Sequence, residues 1–170
     1  MSLEISVEMI RDLRQKTGAG VMDCKKALEQ ADGNSDKAED VLREQGLSSA
    51  AKKSGRETRE GLVHAYIHTG GRVGALVQLD CETDFVARTP EFQELAHNLA
   101  MQIAAMPSTS YISKDDIEEE EKRPIEEISL LDQSYIKDPS RTVNDIVQDA
   151  IARVGENVKV RRFSRFALGE

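Results

Sequence analysis

A chain of 170 residues with 39% hydrophobic and 32% charged side chains suits one globular domain, or one domain with a small appendage. Its net charge of −8 argues against nucleic-acid binding by the chain as a whole, because duplex affinity rests on neutralising phosphates. Two cysteines, Cys24 and Cys81, make neither a metal cluster nor a disulfide framework, and no apolar run approaches a membrane span.

The opening Met-Ser-Leu-Glu-Ile-Ser is acidic rather than transit-like, so a soluble, reducing, cytoplasmic setting is expected, with an organellar mature form left open. Ser6 caps a first helix over about residues 7–16, where Val7, Ile10 and Leu13, joined by Met9, form the stripe. Thr17-Gly18-Ala19-Gly20 breaks it. A second helix follows over about 21–31, with Val21, Cys24, Ala27, Leu28 and Ala31 at helical spacing, and Gly33 ends it. Asn34, Ser35 or Asp36 opens a third, with Ala38, Val41 and Leu42 inward, closed by Gly46-Leu47 in the order of a Schellman stop. Residues 1–47 thus read as a three-helix bundle, more plausible as a docking module than as an enzyme. Residues 48–60 turn polar and read as a solvated linker.

Residues 61–170 read as an α+β core. Gly61–His68 alternates as a strand, with Leu62, His64, Tyr66 and His68 on one face and Val63, Ala65 and Ile67 on the other. Gly70-Gly71 supplies a tight turn, and Val73–Leu79 returns. Cys81-Glu-Thr-Asp-Phe-Val-Ala-Arg88 then joins that strand to a helix that Thr89-Pro90 opens, with Phe92, Leu95, Ala96, Leu99 and Ile103 on one stripe. The chain has four Phe, three Tyr and no Trp, so Phe85 is a scarce large group on a junction. It either serves as a knob for a partner's crevice or tucks under its own helix.

Residues 108–141 are the least legible. Six carboxylates in Ser113–Glu121 predict a solvated segment. Pro124 starts a helix with Ile125, Ile128 and Leu131 on one side and Leu130 off it, and Asp138-Pro139-Ser140 reads as a turn. Thr142-Val-Asn-Asp145 resembles a capping box and opens a helix over about 143–154 that Gly155 ends. Val158–Leu168 is a last strand, with Val158, Val160, Phe166 and Leu168 on one face and Arg161, Phe163 and Arg165 on the other. It completes a three-stranded antiparallel sheet flanked by helices.

Little in this pattern points to bond chemistry. No phosphate loop occurs, and Gly18-Ala19-Gly20 fails the dinucleotide pattern, so no nucleotide cofactor is expected. His64 and His68 lie about 13 Å apart along a strand, too far for one metal, and His97 has no evident partner. Glu82 and Asp84 beside Cys81 oppose a reactive thiolate. The chain is not expected to be an enzyme.

Leu13-Arg-Gln-Lys-Thr-Gly-Ala-Gly-Val-Met-Asp-Cys-Lys-Lys-Ala-Leu28 resembles the amino-terminal motif of bacterial and organellar elongation factor Ts. Cys81–Arg88 resembles that family's second motif, and Gly155–Phe166 its carboxy-terminal strand, all in the family's order. The resemblance implies a guanine-nucleotide exchange factor for elongation factor Tu, the GTPase that delivers aminoacyl-tRNA, with an amino-terminal bundle of the ubiquitin-associated type. It implies that Arg14, Val21, Met22 and Lys25 belong to the docking surface of that bundle. It also implies that the motif Thr83-Asp84-Phe85-Val86 displaces the partner's Mg²⁺, with Asp84 and Phe85 entering between two helices of the GTPase. Val21 stands where the family commonly has Met, and the region around residues 112–124 is shortened. The chain holds one copy of a core unit that longer members carry twice, so two copies pair through the apolar sheet face, or else the sheet is covered by its own helices. A protein-binding adaptor built on the same bundle, or a small thiol enzyme on Cys81, are the competing readings.

Overall fold

The computed structural model of the chain describes residues 5–170; the acidic start read as non-transit-like lies mostly outside them. The chain divides into two compact units at Lys52/Lys53.

In the first unit, α1 (Val7–Thr17) starts at Ser6, whose hydroxyl accepts from the Met9 N–H at 3.2 Å, and ends at Gly18 in the left-handed region. Helix α2 (Val21–Gln30) follows, and its chain reverses through Gly33 at φ 77°. Asn34 accepts from the Lys37 N–H at 2.9 Å and so caps α3 (Ser35–Lys53). Leu13, Cys24, Ala27, Leu28, Ala31 and Ala38 make the core of a three-helix bundle, with Met9, Ile10, Val41 and Leu42 packed on it. Two expectations fail here. Val7 is 81% exposed, because the stripe begins one turn later. Helix α3 runs straight through Gly46: one interior glycine costs about 1 kcal/mol, and the helix-compatible Ser48–Lys53 segment carries the helix on. The first half of the expected linker is therefore helical.

In the second unit, β1 (Glu60–Ile67), β2 (Val73–Cys81) and β5 (Val158–Ala167) form an antiparallel sheet in the order β1-β2-β5. The β1–β2 hairpin closes through Gly70 and Gly71, both at positive φ. At Gly61 the backbone of β2 passes so close that a Cβ would lie 2.2 Å from the Leu79 carbonyl oxygen, so no other residue fits. Ala75, Val77 and Leu79 face inward onto α5 (Pro90–Ala105), which buries Phe92, Leu95, Ala96, Leu99 and Ile103 against them. Helix α7 (Val143–Val154) packs beside α5 through Val143, Val147 and Ile151, opened by the reciprocal Thr142–Asp145 capping box. Thr89 caps α5 with Pro90 in its first turn.

Strand β5 departs from simple alternation. Its pairing with β2 shifts between Gln78 and Leu79: Val160 sits opposite Leu79, and Arg162, not Arg161, opposite Gln78. Arg161 is the extra residue of a bulge. Beyond it the faces exchange, so Phe163 and Arg165 share the inner face with Val158 and Val160. Phe166 and Leu168 turn outward instead of continuing the Val158 face.

Between α5 and α7 lie a 3₁₀ turn (Lys114–Asp116), one turn of α-helix as α6 (Ile125–Ile128), a second 3₁₀ turn (Leu130–Asp132), and the small ladder of β3 (Ser134–Tyr135) with β4 (Asp138–Thr142). Asp138–Thr142 is thus a strand where a turn was expected. Because α6 is a single turn, Ile128 and Leu130 are the buried pair and Ile125 is exposed. The carboxylate-rich stretch ends in a clasp. Two guanidinium hydrogen bonds from Arg123, with a third from its backbone N–H, hold the Glu121 carboxylate and draw its pKa down to about 2. Inside the segment, Gln133 donates to Thr109 Oγ1 at 2.7 Å and to the Glu127 carbonyl at 3.1 Å. Gln102 of α5 donates to Gln133 Oε1 at 3.1 Å and accepts the Ile136 N–H at 2.9 Å. Both glutamines are fully buried, and this polar lattice replaces regular structure.

Candidate functional site

Strand β2 ends at Cys81, and Asp84–Ala87 (α4) makes one helical turn before α5. Thr83 is extended and caps α4, accepting from the Val86 N–H at 3.4 Å. A turn this short sends successive side chains in different directions. Val86 and Ala87 go inside, and Phe85 goes out, 79% exposed. Asp84 opens the turn, where a carboxylate suits the N-terminal peptide dipoles, and pairs with Arg88 at 2.8 Å. The result is an aromatic ring and a carboxylate side by side on a protruding corner. Val86, expected in the contact set, is 8% exposed and anchors the corner from within.

The corner is held by residues 73–75 positions away. Glu156, just past the left-handed Gly155 that ends α7, accepts from the N–H groups of Glu82 and Thr83, both at 3.0 Å, and from the Thr83 hydroxyl at 2.6 Å. In return the Glu82 carboxylate accepts from the Asn157 N–H at 2.7 Å and meets Arg56 at 3.4 Å. The buried Asn157 side chain donates to the Ser54 and Arg56 carbonyls at 3.3 and 2.8 Å. Glu156 and Asn157 escaped sequence reasoning because no local spacing relates them to Thr83. Their only signal was membership of the Gly155–Phe166 stretch.

Cys81 is buried, and its thiol donates to the Thr83 carbonyl at 3.1 Å. Burial, with the charge of Glu156 adding to it, pushes its pKa up to about 11, so no thiolate nucleophile stands here at neutral pH. His64 Nε2 and His97 Nδ1 lie 3.2 Å apart, which gives His97 the partner that its sequence context did not reveal. Burial and the neighbouring His97 lower the His64 pKa. Among the described residues no group of three or more His, Cys, Asp or Glu side chains is gathered for a metal ion, and no helix is long and apolar enough to cross a membrane.

In the first unit, Arg14 occupies the last turn of α1, and Val21, Met22 and Lys25 the first turns of α2, flanking the Thr17–Gly20 turn. All four are exposed, Met22 at 61%. Lys25 has only the weak i,i+4 pair with Glu29 at 3.8 Å. An exposed methionine beside two exposed cations is a surface suited to docking.

A family profile described as Elongation factor TS matches residues 50–124 and 121–170. The chain is 49% identical over 199 aligned positions to "Elongation factor Ts, chloroplastic" of Porphyra purpurea, covering 99% of this chain and 90% of that protein. It is 48% identical to "Elongation factor Ts" of Gloeothece citriformis, covering 98% and 69%, and 46% identical to the chloroplastic protein of Guillardia theta, covering 100% and 91%. Because 199 aligned positions exceed the 170 residues of the chain, at least 29 positions of that alignment have no residue here. The profile's two matched pieces join at 121–124, within the region expected to be short.

Proposed function

Because this chain belongs to the elongation factor Ts family, we infer that it is a guanine-nucleotide exchange factor for the translational GTPase elongation factor Tu. It performs no bond chemistry. The observation that carries this reading is the Asp84–Phe85 corner, a large ring left in solvent although the chain has few aromatics to spare. A ring this exposed gains its apolar burial only when a partner covers it.

The mechanism is one of competing equilibria. Phe85 and Asp84, flanked by Thr83 and Val86, enter the partner between two of its helices and shift a segment that bears on Mg²⁺. Magnesium demands near-ideal octahedral geometry, so a small displacement releases it. Without the ion the diphosphate loses its main counter-charge and leaves faster. The factor need only prefer the empty GTPase, and linkage makes the exchange reversible. Arg14, Val21, Met22 and Lys25 hold the partner while the corner acts.

The outer sheet face supports a second element of the reading, a homodimer. Val63, Ile67, Leu76, Phe166 and Leu168 all stand exposed on that face, and a second copy of a chain with one core unit would cover it. The relatives point to work beside the translation machinery, in a bacterial cytoplasm or an organelle. Release of fluorescent GDP from elongation factor Tu, with and without this protein, tests the proposal. Acceleration is expected and unchanged release would reject it; co-elution without acceleration would favour a binding adaptor.

A further inference from the structure

We propose that Glu156 is the positioning residue that holds the Thr83–Val86 corner in the shape that presents Phe85. The inference rests on the exchange-factor reading and concerns a residue outside the motif itself.

Helix α4 cannot hold itself. The bonds at its start, Ala87 N–H to the Thr83 carbonyl and Arg88 N–H to the Phe85 carbonyl, are both 3.3 Å, and the cap bond from Val86 to Thr83 is 3.4 Å. The shorter bonds, from the Thr89 N–H at 3.0 Å and its hydroxyl at 2.8 Å to the Val86 carbonyl, tie only its far end to α5. One turn of helix is also below the length at which local bonds sustain themselves. The Glu156 carboxylate, by contrast, gathers three donors from two adjacent residues at 2.6–3.0 Å. Charge-assisted bonds of this length are roughly twice as strong as neutral ones. The Thr83 hydroxyl gives its proton to Glu156 and turns a lone pair to the Val86 N–H, so the carboxylate orients the cap and, through it, the turn.

Glu156 is not the only tie at this place, which makes the idea separable from folding. The Glu82–Asn157 bond and the two bonds of the Asn157 side chain do not use it. Removing the carboxylate frees Thr83 while β2 and β5 stay joined through their ladder from Cys81–Val158 onward.

The experiment measures GDP release from elongation factor Tu with wild type, Glu156→Gln, Glu156→Ala, Phe85→Ala and the Glu156→Ala/Phe85→Ala double variant. Amide hydrogen exchange at Glu82 and Thr83 is followed in the free proteins. Loss of three charge-assisted bonds is expected to lower acceleration by about tenfold or more in Glu156→Ala. Glu156→Gln recovers part of it, because its amide oxygen still accepts from the backbone. In the Phe85→Ala background Glu156→Ala should cost nothing further, since there is no ring left to present. The amides of Glu82 and Thr83 should exchange faster in Glu156→Ala. Unchanged protection of those amides would overturn the proposal, as would equal losses with and without Phe85. Should Glu156→Ala not fold, Glu156→Gln carries the same comparison. Wild-type acceleration by Phe85→Ala alone would instead sink the exchange reading, leaving the amide measurement to decide on Glu156.

Discussion

Phe85 and Val86 are adjacent in the chain and face opposite ways, the ring 79% exposed and the valine 8%. Substituting each to alanine should therefore separate function from stability. Phe85→Ala should stay within about 0.5 kcal/mol of wild type, as exposed positions do, while abolishing most of the acceleration of GDP release. Val86→Ala should lose about 1–3 kcal/mol in a urea melt. Asp84→Ala should give a weaker exchange defect than Phe85→Ala, since a wet charge contributes less than a ring that becomes buried. A destabilised Phe85→Ala that still exchanges would assign the ring to this protein's own core.

Docking through the first unit is tested by Met22→Ala combined with Lys25→Glu. Apolar anchor and charge go together, and a pull-down with elongation factor Tu should weaken while circular dichroism stays native. Capture as strong as wild type would exclude this surface.

Pairing through the outer sheet face predicts a molar mass near twice 18.9 kDa by light scattering at tens of micromolar. Leu76 lies on the central strand of that face, and Leu76→Arg should return the protein to one copy. A monomer at every concentration would refute the dimer.

Cys81 should resist alkylation at pH 7–8 and become reactive only as pH approaches about 11. Its raised pKa means that the folded state holds the proton more tightly than the unfolded chain does. The resulting stability is complete below the unfolded value near 8.5 and is lost as pH rises toward about 11. Cys81→Ser should keep exchange activity; its loss with docking intact would revive the thiol-enzyme reading.

Gln133→Ala should be costly for a residue in an irregular segment. It leaves Gln102 and Thr109 short of partners in a dry interior, which predicts a loss of about 2–4 kcal/mol by chemical melt. A variant as stable as wild type would show that the lattice does not hold residues 109–136.

What was legible followed local rules. The Ser6, Thr89 and Thr142 caps, the Gly70-Gly71 turn, the left-handed Gly155 and the α5 stripe all depend on neighbours within four residues. The exposure of Phe85 was not legible in this way, because the local pattern left open both a knob and a ring tucked under its own helix, and only the family resemblance pointed outward. What was missed depends on distant partners. Nothing near Gln133 announces that Gln102 will meet it in the interior. The exchange of faces in β5 needs the register against β2, which its own alternation cannot reveal. Glu156 was missed for the same reason, its partners being reached only by tertiary folding.

The bulge at Arg161 makes β5 tolerant of a lost residue at one place and of an added residue nowhere beyond it. Arg161 leaves the ladder and turns its guanidinium to Asp80 at 2.8 Å, which spends one residue without advancing the pairing. Deleting that one residue would remove the bulge and the Asp80 tie, but Val160 would still face Leu79 and Arg162 would still face Gln78, so every later side chain would keep its face. One residue more between Arg162 and Phe163 would act differently. Without a second bulge to absorb it, Phe166 would be driven into the interior, and Phe163 and Arg165 would be turned to solvent. Both the inner packing and the outer apolar face thus depend on a count of residues as much as on their kinds.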